Sequence, residues 1–344
     1  MARIVGKDSP RREPAGNGFG NKDMDKPLFF VADAHEGPVW VADQCRLYYT
    51  TTKHLDTGPR VDIEYLDFAG ITVCGEEDLW DKIDENTPLR VVSRLFWHDA
   101  RMANSMCLGE HGRSLIVAEQ GDHDRPSVVA RYNLADKSRS VVYEPVDAPP
   151  FNSINKVALT PSGHLLFSDP DYGFRQGFRP PPLREPFAYV YANNRAMHEF
   201  RGPLEMPHGM TTTPNETKIF ITDTSNDGAH DDDVELKRRC AVYMFDFDKE
   251  TGAISGDGIF CFNVDKGVPD GAITTDSELL VGGGDGVYVA NLNGQLTGKI
   301  PTDYTAVNVA LAGQGKHLFV TCDEGVLLFL DWREAVEPAG VGAS

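Results

Sequence analysis

NKVALTPSGHLLFSDPD, residues 155–171, reads as two short strands folded about a tight turn. Val157–Leu159 and Leu165–Phe167 are apolar runs, and Pro161-Ser162-Gly163 between them carries turn chemistry. The same grammar recurs five times: EGPVWVADQCRLYYTTT from Glu36, NSMCLGEHGRSLIVAEQ from Asn104, HGMTTTPNETKIFITDT from His208, DGAITTDSELLVGGGDG from Asp270 and NVALAGQGKHLFVTCDE from Asn308. Each opens on a polar residue, runs through an apolar strand and a turn, and closes on a second strand that ends in acids or threonines. Further strand pairs follow, as in Ala241–Phe247 (AVYMFDF) and Gly286–Ala290 (GVYVA). Four strands per repeat is the blade unit, so the chain is expected to be all-β, a six-bladed β-propeller. No amphipathic helical stretch of notable length competes with that pattern. A ring must close to avoid leaving strand edges bare, and Leu28–Ala32 (LFFVA) is expected to pair with Val326–Leu330 (VLLFL). The expected organisation is a flexible tail over 1–26, one propeller over 27–333, and a C-terminal tail over 334–344.

The bulk properties agree with one large soluble unit. The 344 residues are 41% hydrophobic, and the 33 Gly and 22 Pro are spread along the chain as turn-formers. Lys plus Arg number 33 against 52 Asp plus Glu, a net charge of −19 that would repel phosphate backbones and argues against nucleic acid as a partner. No run approaches the ~18 apolar residues that suggest a membrane span. Met1–Lys26 is polar with no apolar signal core, and the six cysteines (Cys45, Cys74, Cys107, Cys240, Cys261, Cys322) are scattered without a CxxC pair. Reduced thiols and a cytoplasmic location are the expectation.

The heads of the six repeats are Glu36, Asn104, Asn155, His208, Asp270 and Asn308. In a propeller the innermost strands line the channel, so these six face the central funnel. A channel is also simply wet, and one polar strand end there means little. Six polar heads, two of them carboxylates, point instead to a ligand or metal site.

The stretches HEGPVW (from His35), FNSINK (from Phe151), FSDPDYGF (from Phe167), PHGM (from Pro207), FITDT (from Phe220) and PDG (from Pro269) resemble the gluconolactonase, senescence-marker-protein and luciferin-regenerating family. The resemblance runs from about Phe29 to Trp332. It implies a six-bladed propeller whose funnel holds a divalent cation, usually calcium, and whose members typically open lactones. Carried over by position, the ligands implied here are Glu36, Asn155, His208 and Asp270. Two residues depart from the family's pattern: His208 stands where Asn is usual, and Asn155-Lys156 where Asn-Asp is usual. Calcium prefers hard oxygens, whereas imidazole suits zinc, manganese or iron. An inward Lys156 would repel a divalent ion, and an outward one would not. The implied cofactor is therefore calcium, another divalent metal, or none in a repurposed site.

Other polar clusters carry less. His98-Asp99, His111 and Asp122-His123-Asp124 lack metal spacing, and His230-Asp231-Asp232-Asp233 reads as an exposed loop. Gly282–Gly286 (GGGDG) reads as a hairpin turn, and there is no Walker A sequence, GxSxG elbow or HExxH helix.

Three functions follow from this reading. The first is a metal-assisted hydrolase of a lactone or related cyclic ester, with Asp270 as general base and Glu36 as ligand. Asn104, Asn308 and the loop aromatics Phe151, Tyr172, Phe174 and Phe178 would contact a hydrophobic small molecule. The second is a metal-free enzyme in which Lys156 and His208 donate hydrogen bonds to a carbonyl and promote a cyclisation or cycloaddition. The third is a non-catalytic small-molecule carrier. No membrane or nucleic-acid partner is expected.

Overall fold

The computed structural model describes residues 27–54, 58–71, 76–83, 91–146, 148–225 and 240–339. Six separate antiparallel sheets follow one another along the chain, and each is a blade of the expected ring. Blade 1 is built from Glu36–Val41, Arg46–Thr50, Ile63–Asp67 and Val92–Trp97; blade 2 from Ala103–Leu108, Ser114–Glu119, Val128–Asn133 and Arg139–Tyr143. Blade 3 comprises Val157–Leu159, Leu165–Asp169, Phe187–Tyr191 and Met197–Phe200; blade 4 comprises Pro207–Thr212, Lys218–Thr224, Cys240–Phe247 and Ile254–Asn263. Blade 5 holds Ala272–Thr274, Glu278–Gly283, Gly286–Asn291 and Leu296–Pro301, and blade 6 holds Asn308–Ala312, His317–Cys322 and Gly325–Phe329.

Blade 6 takes its outer strand from the other end of the chain. Leu28–Val31 pairs antiparallel with Gly325–Phe329, register Leu28 to Leu328 and Phe30 to Val326. This is the expected closure, and it satisfies backbone groups that an open ring would leave bare. The expected C-terminal tail is partly built in: Trp332–Ala335 forms a 3-10 turn and Glu337–Pro338 adds a fifth strand to blade 5. Trp332 explains the ordering, since it is buried against the blade 5–6 cluster and its Nε1 donates to the Gly315 carbonyl at 2.9 Å. The expected tail over 1–26 and residues 340–344 lie outside the described residues.

Blades pack through apolar faces supplied by strand alternation. Leu47, Leu66, Phe68, Phe319 and Leu328 meet across the closure, and Val117, Ala130 and Tyr132 meet Tyr48 and Ile63 between blades 1 and 2. The short helix Glu76–Lys82 caps the junction of blades 1 and 6. Its Glu76 accepts from Trp40 Nε1 at 2.7 Å and from the Gly313 amide at 2.8 Å. The GGGDG run is a hairpin turn as expected, with Gly283 paired to Gly286. The five described cysteines are all free. Among the described residues no helix is long and apolar enough to cross a membrane.

Candidate functional site

The inner strands of the six blades surround a central cavity of about 240 Å³, with apolar walls from Val39, Met106, Val157, Met210, Ile273 and Val309. Lys156 and Asn308 belong to the same lining, at the end where the repeats begin. Three of the inner strands are irregular at their heads. Pairing shifts between Glu36 and Val39, between Ala103 and Met106, and between Pro207 and Met210. Bulges of this kind re-aim side chains, and they fall beside Glu36, Asn104 and His208. Gly37 makes the first possible: its φ is +57°, and a Cβ there would lie 2.7 Å from the Met106 amide.

The second strands of blades 3 and 4 tie down the incoming heads. Asp169 accepts the amides of Asn152 and Ser153 at 2.9 and 2.8 Å, fixing the turn that delivers Asn155 and Lys156. Asp223 does the same for Glu205 and Met206, ahead of His208. Thr222 Oγ1 receives the Gly209 amide at 2.6 Å and donates to the Asp270 carbonyl at 3.2 Å, coupling blades 4 and 5. In blades 3 and 4 the acids and threonines that ended the repeat are thus clamps of the funnel.

Lys156 points inward. Its side chain is nearly fully buried, and its ammonium bridges the two head carboxylates: it donates to Glu36 Oε1 and lies 2.6 Å from Asp270 Oδ1. Glu36, only 2% exposed, is held further by Asn308 Nδ2 at 2.8 Å and by the Gly37 amide at 3.0 Å. Asp270 also faces His208, whose Nδ1 lies 3.3 Å from Asp270 Oδ1 without hydrogen-bond alignment. The Tyr172 ring stands edge-on to the His208 imidazole, centroids 5.5 Å apart, and its hydroxyl bonds Thr224 Oγ1. Asn104 Oδ1 and Asn155 Oδ1 are buried acceptors with no hydrogen-bond partner.

Charge follows from this geometry. Burial disfavours the Lys156 ammonium, but the attraction of Asp270 and Glu36 outweighs it, and its pKa lies above the ordinary lysine value. His208 goes the other way. Burial first, then the positive charge of Lys156, holds its pKa well below the usual histidine value, so the imidazole is neutral at physiological pH.

A second lysine, Lys53, is half-buried nearby, and its pKa is lowered by burial against the opposing pull of Glu36, Asp323 and Asp270. Beside it His35 Nδ1 pairs with Asp323 Oδ1 at 2.5 Å. Neither Lys53 nor that pair stood out in the sequence. His35 directly precedes the first head and Asp323 directly follows the sixth repeat's second strand, which is the signal that was there to find.

The family's usual metal does not fit this floor. A divalent ion would need the carboxylate oxygens of Glu36 and Asp270, and those oxygens already hold the Lys156 ammonium. Among the described residues no group of His, Cys, Asp and Glu is arranged to hold a metal ion. Asn155 and His208 were implied as ligands alongside Glu36 and Asp270; of these, His208, Glu36 and Asp270 gather around one nitrogen or one carboxylate of the same cluster.

The expected aromatic lining divides. Tyr172 is at the site. Phe151, 2% exposed, is a core residue: it packs edge-on against Phe167 and Tyr189 with the Arg184 guanidinium over its ring. Phe178, 3% exposed, fills the cluster between blades 1 and 2. Both plug gaps between splaying blades, so neither lines the mouth. Phe174 is 45% exposed on the short helical turn Tyr172–Arg175.

His98-Asp99 and Asp122-His123-Asp124 come together with Arg60 and Arg125 around a separate groove. Their charges are spent on each other, since Arg125 pairs with Asp99 at 2.7 Å and with Asp122 at 2.5 Å. His111 is exposed in a turn, and His230–Asp233 lie outside the described residues.

Gluconolactonase from Zymomonas mobilis is 21% identical over 236 residues, 65% of this chain and 62% of its own length. Lactonohydrolase oryL from Aspergillus oryzae is 23% identical over 203 residues, 53% of this chain and 44% of its own length. The chain thus spans less than two thirds of either curated relative. The structure of XC5397, a gluconolactonase from Xanthomonas campestris, superposes with a TM-score of 0.64 at 20% identity, over 95% of this chain and 99% of that one. The family model for the SMP-30/gluconolactonase/LRE-like region matches residues 34–324. With that match spanning most of the ring and all six repeat heads, the chain belongs to the SMP-30/gluconolactonase/LRE-like family.

Proposed function

We propose that the chain hydrolyses a lactone or related cyclic ester without a metal in the funnel. The observation that carries this is the cluster at the funnel floor, where one ammonium, one neutral imidazole and one carboxylate converge on the same few ångströms. Lys156 has three N–H donors and two carboxylate partners. The remaining donor is available to a substrate carbonyl, where a fixed ammonium stabilises the oxyanion of the tetrahedral intermediate. His208, held neutral, takes the proton of an attacking water while the charge of Asp270, 3.3 Å from its Nδ1, stabilises the imidazolium. Collapse of the intermediate breaks the ring C–O bond. The imidazolium returns the proton to the departing alkoxide, leaving a hydroxy acid. Membership of a family that includes lactonases supports the reaction class.

One observation favours a second reading. The depressed pKa of His208 makes it a weak base, so a substrate needing only a hydrogen-bond donor at a carbonyl is also served, as in a cyclisation or cycloaddition. Turnover in H₂¹⁸O separates the two. Hydrolysis places one ¹⁸O in the product carboxylate, and a cyclisation leaves the product mass equal to that of the substrate. Asp270→Asn and His208→Gln are each expected to lower kcat by about 10²–10⁴-fold, the usual size of general-base loss, with the fold retained. Unchanged kcat in both variants would refute the assignment.

A further inference from the structure

We propose that the Lys156 ammonium is the funnel's resident cation, and that removing it converts the floor into a divalent-cation site which the unaltered chain lacks. This does not depend on which reaction the site performs.

Glu36 and Asp270 come from blades 1 and 5 and meet only at the channel axis, and the atom between them is Lys156 Nζ. Two carboxylates converging in a buried space require a counter-charge. In this chain it is covalent, delivered by blade 3 from a turn clamped by Asp169. Its 2.6 Å separation from Asp270 falls close to the ~2.3–2.6 Å that calcium keeps from its oxygens, so ammonium and ion would compete for one place. They cannot share it, because a unit charge and a double charge at contact distance in a buried site repel strongly.

The remaining groups are suited to an ion once the amine is gone. Asn155, the neighbouring head, keeps a buried Oδ1 with no partner, and the Glu36 carboxylate is already positioned by Asn308 and the Gly37 amide. These are hard oxygen donors, which favour calcium. The imidazole of His208 adds a nitrogen that manganese accepts more readily.

The test is calorimetric titration of calcium chloride and manganese chloride into three proteins: the unaltered chain, Lys156→Ser and Lys156→Asp. The unaltered chain is expected to show no saturable binding that Glu36→Gln removes. Each lysine variant is expected to gain one site with a dissociation constant of about 10⁻⁵–10⁻³ M, lost again when Glu36→Gln is added. Calcium should also raise the melting temperature of the variants and leave that of the unaltered chain where it is. A variant that unfolds without metal and refolds in calcium is the same result seen more sharply. The proposal is overturned by a Glu36-dependent site in the unaltered chain. It is equally overturned if both variants take up neither ion, whether they remain folded or stay unfolded in calcium.

Discussion

Replacing Lys156 by Met tests the electrostatics of the funnel floor without reference to any substrate. The aliphatic stem is retained and only the charge is lost, leaving Glu36 buried at 2% exposure and Asp270 at 18% side-chain exposure with no shared counter-ion. Breaking one partner out of a buried ion pair costs about 3–5 kcal/mol. The lower end applies here, because Glu36 keeps its bonds from Asn308 and Gly37 and Asp270 is partly open to water. About 3 kcal/mol is more than a 100-fold change in the unfolding equilibrium. Unfolding entropy of ~2.1 cal/mol/K per residue over the chain is roughly 0.7 kcal/mol/K, so the melting temperature should fall by about 4 °C in metal-free buffer. The deficit should shrink as the pH drops, since protonating a stranded carboxylate removes the unpaired charge. Adding Glu36→Gln should recover much of the loss, with a coupling of about 1–3 kcal/mol between the two positions. Differential scanning calorimetry of the four proteins of this cycle measures all of it. A single variant within about 1 kcal/mol of the parent, or a double variant no more stable than the single, would show that the three charges are not acting as one unit.

Two further outcomes are expected. Burial pushes the Asp169 carboxyl up to about 7, so the folded chain holds that proton more tightly than the unfolded one. The stability it contributes is full below pH ~4 and is lost as the pH rises through about 7, so the melting temperature of the parent should fall relative to Asp169→Asn across that window; parallel curves would refute the shift. Phe30 is buried in the closing strand, edge-on to Phe68 with centroids 5.5 Å apart, and Phe30→Ala should cost about 3–5 kcal/mol in urea denaturation. A loss below about 1 kcal/mol would mean that the ring is not held at this seam.

The fold was legible because it is written six times. Period-two alternation with a turn at the same place in each repeat gives the blade, and the leftover strand Leu28–Val31 has one unpaired edge to go to. The heads were legible for the same reason: position one of an inner strand is the same place in every blade. What the repeats do not encode is direction at the irregular entry to a strand. Lys156 lies just ahead of Val157, before alternation has begun, so its inward course depends on the turn held by Asp169. Aromatics misled for a related reason. Phe151 and Phe178 sit in loops beside motif residues, yet the wedge between neighbouring blades has to be filled, and that demand took both rings away from the mouth. Lys53 lies past the end of the first repeat, with no repeat position to mark it.

The seam between Leu28–Val31 and Gly325–Phe329 also sets the order of events during synthesis. The first described strand is bonded to one that follows almost the whole ring, Gly325 coming 297 residues after Leu28. At roughly 5–20 residues per second the early strand waits on the order of 15–60 s for its partner to leave the ribosome. Blades 1 to 5 can form as local meanders in that interval, each from contacts close in sequence, but blade 6 stays incomplete with the Gly325–Phe329 edge unpaired until the ends meet. During that wait LFFV is a short apolar strand with no charge and no proline of its own, the composition most prone to pair with a neighbouring chain. Closure is therefore where slow folding and aggregation of this protein should both be controlled.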